Sequence, residues 1–332
     1  MSDVARLAKV SRYTVSKVLN GDGTVKAATR EKVMRACRRL SFSPNQNAVN
    51  LVRGATNTMG LIVSQVTDTY YGEIMEAADH AARELGWELV FRCSYSEAAL
   101  EAQIVRHLLA LRVRGLIVAP VIGEENRALL LEAERRLPVI YIDRFFNKDC
   151  HYVTNDHYQS AHAITAHLLG ARPSVAYLGS SKSRFNRSIA DRVRGYLDAV
   201  SAAGVEPLLI PTEHCAERRD SERFGYDNLR AYLQAHAAPP ALFFANDAIA
   251  LGGMHALESH GLKPGRDVLV AGHDDLSFSA HCSPPLTTVR QPKQAIAREA
   301  VKAVIALADG ARRKTYIHKL IQSELVIRES SG

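Results

Sequence analysis

No stretch of this 332-residue chain approaches the roughly eighteen consecutive apolar residues that a membrane-spanning helix needs. Its first residues, Met1-Ser2-Asp3-Val4-Ala5-Arg6, lack the apolar core of a signal peptide. A soluble, cytoplasmic protein with no membrane partner is therefore expected. Cysteine is scarce: Cys37, Cys93, Cys150, Cys215 and Cys282 are odd in number and scattered, with neither CxxC nor Cys/His metal spacing. They read as reduced thiols, with no metal site. The signatures of common enzymes are missing too. No G-x-G-x-x-G follows an apolar run, because Gly21-Asp22-Gly23 has Lys26 at the third position, and neither G-x-x-x-x-G-K-[ST] nor G-x-S-x-G occurs. No cofactor, no catalytic residue and no enzymatic activity are expected.

What the chain does have is positive charge in one place. Eleven Lys/Arg and three acidic residues fall within positions 1–54, leaving that segment at +8 and the remainder at −1. A polyanion-binding module attached to a near-neutral body has this distribution. The hydrophobic fraction of 47% is enough to fill two or three cores.

Within the basic segment, Val4, Leu7 and Ala8 recur at helical spacing, and Ser2 or Asp3 can cap the helix they define. Lys9-Val10-Ser11 interrupts it, and Val15, Val18 and Leu19 mark a second helix ending near Asn20-Gly21. A third runs from about Ala27 to Leu40 with Val33, Cys37 and Leu40 on one side. Three short helices around a small apolar core fit a helix-turn-helix, whose second helix presents its N-terminal end to the DNA major groove. Ser11, Arg12, Tyr13, Thr14, Ser16, Lys17 and Asn20 lie on or beside that helix, off its apolar face. Arg12 and Lys17 could donate to guanine O6 and N7; the others could reach base edges or phosphates. Any one of them alone would pass for surface polarity, and only their grouping on a basic three-helix unit favours DNA.

Asp3-Val4-Ala5-Arg6-Leu7-Ala8, Val10-Ser11, Thr14-Val15-Ser16-Lys17-Val18-Leu19-Asn20-Gly21 and Phe42-Ser43-Pro44-Asn45 together resemble the N-terminal signature of the lactose/galactose repressor (LacI/GalR) family. The resemblance implies that Arg12, Tyr13 and Lys17 choose the operator, with Lys17 standing where Arg is common. A bidentate fork is thereby exchanged for a point charge. The segment between Pro44 and Gly54 is too short to be a stable helix alone in water. By resemblance it is a hinge helix that orders on DNA, with Asn45 and Ala48 on the minor groove and Leu51 as an apolar wedge between base steps.

From Thr58 onward short apolar runs alternate with amphipathic segments. Strands are expected at 59–66, 88–92, 115–119, 139–142, 175–178, 241–245 and 268–272, and helices near 72–85, 97–112, 125–136, 157–169, 189–203, 222–236 and 247–260. This βαβα order indicates parallel sheets covered on both faces, in two similar blocks. The resemblance, supported late in the chain by Leu286-Thr287-Thr288-Val289-Arg290-Gln291-Pro292, implies a periplasmic-binding-protein-like core of two Rossmann-like parallel-sheet subdomains. The expected organisation is an all-α headpiece at 1–44, a hinge at 45–57 and an effector-binding and dimerisation domain at 58–332. The latter divides into about 58–154 plus 290–315 and about 155–289 plus 316–330.

Ligands of open α/β sheets bind beyond the carboxyl ends of the strands. The polar and aromatic residues expected there are Asp68, Tyr70, Tyr71, Asp143, Asp156, Ser188, Arg192, Phe243, Asn246 and Asp274. For Asp143, Asp247 and Asp275 a role as helix cap or turn residue competes evenly. By resemblance, Arg192, Asn246 and Asp274 hydrogen-bond an effector, and with aromatic walls they suit a sugar. The basic run Ser180–Arg187 and nearby Arg144 suggest a sugar acid or sugar phosphate, although a solvated loop explains that run equally well. The expected protein is a transcriptional regulator, a repressor of near-palindromic operator DNA, working as a homodimer because no C-terminal leucine heptads are present. A solute-binding protein without gene-regulatory role is the alternative; it would need an export signal and no basic headpiece.

Overall fold

The structure is a computed structural model that describes residues 1–19, 22–42, 57–121, 123–146, 149–179, 187–212, 220–311 and 315–332. Asn20, the whole 45–54 hinge with Asn45, Ala48 and Leu51, and the basic run at 180–186 lie outside the described residues. The chain divides into two compact units, Met1–Thr56 and Asn57–Gly332.

The first unit holds α1 (Ser2–Ala8), α2 (Arg12–Leu19) and α3 (Ala27–Arg39). Val4, Ala5, Ala8, Val15, Val18, Val33, Ala36 and Cys37 form its core, the same apolar face that the helical spacing predicts. Lys9 ends α1 in the left-handed region, φ 53°, and donates its backbone N–H to Arg6. Ser11 starts α2 by accepting from the Thr14 N–H at 3.0 Å, which is an N-cap. The tight turn between the two helices therefore has a backbone cause at each end.

The second unit contains two parallel sheets. In the first, β1 (Thr58–Val63), β2 (Glu88–Cys93), β3 (Leu116–Val118), β4 (Val139–Ile142), β5 (His151–Asn155) and β11 (His318–Ile321) lie in the order β11-β5-β4-β3-β1-β2. Helices α4 (Thr69–Glu84), α5 (Ala98–Ala110), α6 (Glu124–Glu134) and α11 (Lys293–Ala308) accompany it, and one apolar cluster fills each face. In the second sheet, β6 (Ala176–Leu178), β7 (Leu208–Leu209), β8 (Ala241–Phe244) and β9 (Leu269–Ala271) have the order β7-β6-β8-β9. Its helices are α7 (His157–Ala171), α8 (Arg187–Ala202), α9 (Ser221–Ala235) and α10 (Asp247–Ser259). Gly225 and Gly252 let α9 and α10 pack backbone to backbone, because a Cβ at either would strike the facing carbonyl of Ile249 or Glu222. An antiparallel ribbon of β10 (Thr288–Arg290) and β12 (Glu324–Val326) completes the second half.

The doubly covered parallel architecture agrees with the sequence reading, and the differences are local. Strand β5 is absent from the expected strands because His-Tyr-Val-Thr-Asn is short and polar. The assignment of 316–330 to the second subdomain needs correction. Residues 318–321 pair in register with Tyr152–Asn155 as the edge of the first sheet, and only the chain after about 323 joins the second. An edge strand with exposed His318, Lys319 and Leu320 carries little apolar signal to show which sheet it serves. Three crossovers thus link the halves: Asn155-Asp156, Arg290–Pro292 and Gln322-Ser323.

Candidate functional site

The first candidate surface is the exposed flank of α2. Ser11, Arg12 and Tyr13 are exposed, Tyr13 by 71%, while Thr14, Ser16 and Lys17 are partly covered. Ser11 and Thr14 are engaged with each other in the helix cap, their hydroxyl oxygens 2.9 Å apart. Lys17 Nζ lies 3.3 Å from Asp22 Oδ2, 3.2 Å from Thr24 Oγ1 and 5.4 Å from the Tyr13 ring centroid. Hydrogen bonds from Thr24, then the neighbouring ammonium, hold the Asp22 carboxyl down at about 2. The ion pair shapes the free state of Lys17 and competes with any guanine acceptor.

The second candidate lies between the halves of the larger unit, beyond the carboxyl ends of β1, β4, β8 and β9. Asp68, Tyr70, Tyr71, Asp143, Ile189, Arg192, Ser221, Ala245, Asn246, Ile249, Asp274 and Gln291 line one cleft there. Short strands buried on both faces force polar residues to their ends, where each takes a turn or cap conformation. Asp68 caps α4 through the Tyr70 N–H at 3.0 Å, and Asn246 caps α10 through the Ile249 N–H at 2.8 Å. Asp143 sits at φ 57° and Asp274 at φ 132°, regions that side chains other than glycine seldom occupy. Both follow strand ends that open on the same cleft.

The buried charges of the cleft are paired. Tyr71 donates to Asp143 Oδ2 at 2.6 Å and accepts from Arg144 Nη2 at 2.8 Å, and Arg144 Nε lies 3.1 Å from the same carboxylate. Burial alone would raise the Asp143 pKa; Arg144 and the Tyr71 hydrogen bond outweigh it and hold the carboxyl below the usual range. Arg192 donates through Nη1 to the Ala245 carbonyl at 2.5 Å, through Nε to His157 Nδ1 at 3.2 Å, and stands 4.0 Å from Asp274. Burial lifts Asp274 to about 6, against the pull of Arg192 and Gln291, and lifts Asp68 to about 6 with help from the Asp274 charge.

Tyr70, Tyr71, Asp143, Arg192, Asn246 and Asp274 are therefore brought together as expected, and three other residues are not. Phe243 is fully buried in the second core against Tyr177, because every side chain of the doubly covered β8 points into packing. Asp156 caps α7 through the Gln159 N–H at 3.0 Å. Ser188 is buried behind the lining, its hydroxyl given to the Asp143 carbonyl across the two halves. Gln291 and Ser221 were missed. Gln291 follows β10 at a crossover, inside the Leu286–Pro292 run that carries the family resemblance, and it reaches the cleft because β10 runs beside the end of β9. Asp247 is a structural anchor, accepting from Ser279 Oγ at 2.6 Å, Thr288 Oγ1 at 2.5 Å and the Leu276 N–H at 2.9 Å. Among the described residues no cluster of His, Cys, Asp or Glu could hold a metal ion, and no helix is long and apolar enough to cross a membrane.

Comparison with known proteins bears on both surfaces. Residues 1–45 match the family described as bacterial regulatory proteins, lacI family, and residues 166–331 match the periplasmic binding protein-like domain. The HTH-type transcriptional regulator GalR of Escherichia coli (strain K12) is 30% identical over 99% of this chain and 95% of its own length. The lac repressor dimer bound to operator and the anti-inducer ONPF superposes with a TM-score of 0.88 at 29% identity, covering 99% of this chain and 97% of that one. The complex of transcriptional regulator CelR with cellobiose gives a TM-score of 0.73 at 25% identity, over 99% and 98% of the two chains.

Proposed function

The chain belongs to the lacI family of bacterial regulatory proteins, DNA-binding transcriptional regulators rather than enzymes, and from that premise we propose a cytoplasmic repressor released or engaged by a small neutral sugar. Two headpieces of a homodimer read a near-palindromic operator through Arg12, Tyr13 and Lys17 of each α2. Tyr70, Asp68, Asp143, Arg192, Asn246, Asp274 and Gln291 contact the effector. Asn45, Ala48 and Leu51 of the hinge transmit its occupancy to the DNA. The solved CelR relative holds cellobiose, which supports a carbohydrate ligand.

The observation that carries the neutral charge of that ligand is the hydrogen-bond inventory around the cleft. Arg144 spends Nε on Asp143, Nη2 on Tyr71 and Nη1 on the Pro120 carbonyl. Lys293 Nζ lies 2.9 Å from Glu73 and reaches the carbonyls of Asp274 and Asp275. Arg192 has given two of its three nitrogens to protein acceptors. Three carboxylates, by contrast, face the cleft, and the buried Gln291 Oε1 and Tyr70 hydroxyl have no hydrogen-bond partner among the described residues. A phosphate or carboxylate would meet cations already committed and acids that repel it; sugar hydroxyls donate to the acids and complete the orphaned atoms. Of the two features that suggested an acidic or phosphorylated effector, Arg144 is committed to protein acceptors, while the run at 180–186 lies outside the described residues.

An effector must bind one closure state more tightly than the other, and coupling of about 1–3 kcal/mol is typical. Calorimetry of the full chain with ribose, cellobiose, glucose and galactose, set beside their phosphates and uronic acids, tests this reading. Heat from at least one neutral sugar, together with a shifted operator affinity, supports it. Binding confined to the anionic members overturns the neutral assignment.

A further inference from the structure

Behind the cleft two histidines pack against each other where the crossovers meet. His157 opens α7 directly after the first crossover, and His273 follows β9; their ring centroids are 5.7 Å apart and both are buried. Neither contacts the cleft lumen, and neither is explained by apolar packing. Each instead touches a group that lines it.

His157 Nδ1 faces two donors, Arg192 Nε at 3.2 Å and Asn155 Nδ2 at 3.5 Å. A guanidinium can only donate, so Nδ1 must present its lone pair and the ring proton must sit on Nε2, which lies 3.3 Å from Thr154 Oγ1 on β5. His273 is placed the other way round. Its Nδ1 lies 3.0 Å from Asp274 Oδ1, an acceptor, and 3.4 Å from Gln291 Nε2, and its Nε2 is 3.0 Å from Ser160 Oγ on α7. Gln291 Nε2, from the second crossover, closes the group at 2.5 Å from the same Asp274 oxygen.

We propose, building on the sugar-cleft reading, that His157 is a positioning residue: as the neutral Nε2–H tautomer it aims the Arg192 guanidinium at the effector and ties it to the first crossover. His273 does the same for Asp274. The effector's principal donor and a principal acceptor are then each oriented by an imidazole fixed to a crossover, so that closure of the two halves and the aim of the ligand contacts change together. The groups facing His157 are Arg192 from α8, His273 after β9 and Asp143 after β4. Burial, then Arg192 and His273, hold its pKa well below the usual imidazole value, with Asp143 opposing. Burial and then Arg192 do the same to His273. A protonated His157 would point an N–H at Arg192 and lose the contact.

Two measurements on the full chain test this independently. Ring 15N NMR of histidine-labelled protein, with His157 assigned through the His157→Asn variant, should show a neutral Nε2–H imidazole that does not titrate between about pH 5.5 and 8. A proton on Nδ1, or a midpoint inside that window, overturns the proposal whatever sugar binds. The second arm uses whichever of ribose, cellobiose, glucose and galactose binds the unmodified protein. His157→Phe removes the acceptor and should weaken that sugar about tenfold or more, whereas His157→Asn, whose Oδ1 can stand in for Nδ1, should stay within about threefold. Equal weakening by both variants, or by neither, refutes a positioning role. Failure of all four sugars to bind the unmodified protein sinks the sugar-cleft reading and this coupling with it, while the NMR arm still reports on the Arg192 contact.

Discussion

In the headpiece the side chains proposed to act stand in solvent, Tyr13 at 71% exposure, whereas in the cleft Asp143, Arg192 and Asp274 are each less than a tenth exposed. The two surfaces work under opposite electrostatic conditions. On α2 a group such as Lys17 holds a partly exposed ion pair with Asp22, of a kind worth little in water, so a change there disturbs few neighbours. In the cleft Asp143, Arg192 and Asp274 are each held by two or more partners, and a change in one member is felt by its neighbours. The proposed readers of DNA can therefore be exchanged singly, while the proposed ligand contacts are tied to the architecture around them.

The largest effect expected from this contrast is at Arg192. Arg192→Ala leaves Asp274 and His157 without their shared partner in a buried setting. It should lower core stability by about 3 kcal/mol and effector affinity by about a hundredfold. Denaturant unfolding and sugar titration check the two numbers, and sugar affinity within threefold of the unmodified chain would remove Arg192 from the cleft's working set. Lys17→Ala should be milder and differently shaped. Discrimination at one base pair of the operator falls about tenfold, and affinity for random DNA changes little. Competition anisotropy with single-base operator variants distinguishes this from a uniform loss, which would demote Lys17 to a phosphate contact.

The same contrast explains what could be read without the fold. The headpiece was legible nearly whole, because its signals are local: apolar residues at helical spacing, a break at Lys9–Ser11, and a charge of +8 confined to the first 54 residues. The strands of the larger unit were legible as apolar runs, and the residues at their carboxyl ends followed from where open sheets bind ligands. Legibility failed where a role depends on what lies opposite. Phe243 sits one residue from Phe244 in a strand covered on both faces, and no pattern within the strand says that neither ring reaches the cleft. His157, Gln291 and the edge strand 318–321 take their meaning from partners on other elements, the edge strand from one more than a hundred residues away.

The two regions should also part company with pH. Asp68 and Asp274 have folded-state values raised to about 6, so their contribution to core stability is present below the unfolded value near 4 and is lost as pH rises through 6. Asp22 in the headpiece is depressed to about 2; its contribution is present above about 4 and is lost only as pH falls toward 2. Between pH 5 and 7.5 Asp68 and Asp274 pull the core's melting temperature down, while the buried His157 and His273, whose values are lowered, pull it up. Asp68→Asn with Asp274→Asn should therefore make the core's melting temperature rise more steeply with pH, and the headpiece's should hold. Sugar affinity should rise over the same interval, because hydroxyls donate to the ionised carboxyls. Calorimetric scans resolving the two transitions check the first statement, and titrations at the two pH values check the second. An unchanged pH dependence of the core in the Asp68→Asn and Asp274→Asn variants would mean that the two carboxyls titrate alike in the folded and unfolded chain.

The smallest effect tests whether exposure alone identifies a reader of DNA. Ser11 is exposed and adjacent to Arg12, yet its hydroxyl already accepts the Thr14 N–H at 3.0 Å and meets the Thr14 hydroxyl at 2.9 Å. As an N-cap it is expected to contribute about 1 kcal/mol to the headpiece. Ser11→Ala should lower the headpiece melting transition by that amount and weaken operator and random DNA by the same small factor, since both need a folded α2. Ser11→Asp, which keeps a capping oxygen, should restore the melting transition while its negative charge weakens every DNA alike. A loss from Ser11→Ala confined to one base pair, with the melting transition unchanged, would instead place the hydroxyl on a base edge and add Ser11 to Arg12, Tyr13 and Lys17 as a residue that chooses the operator.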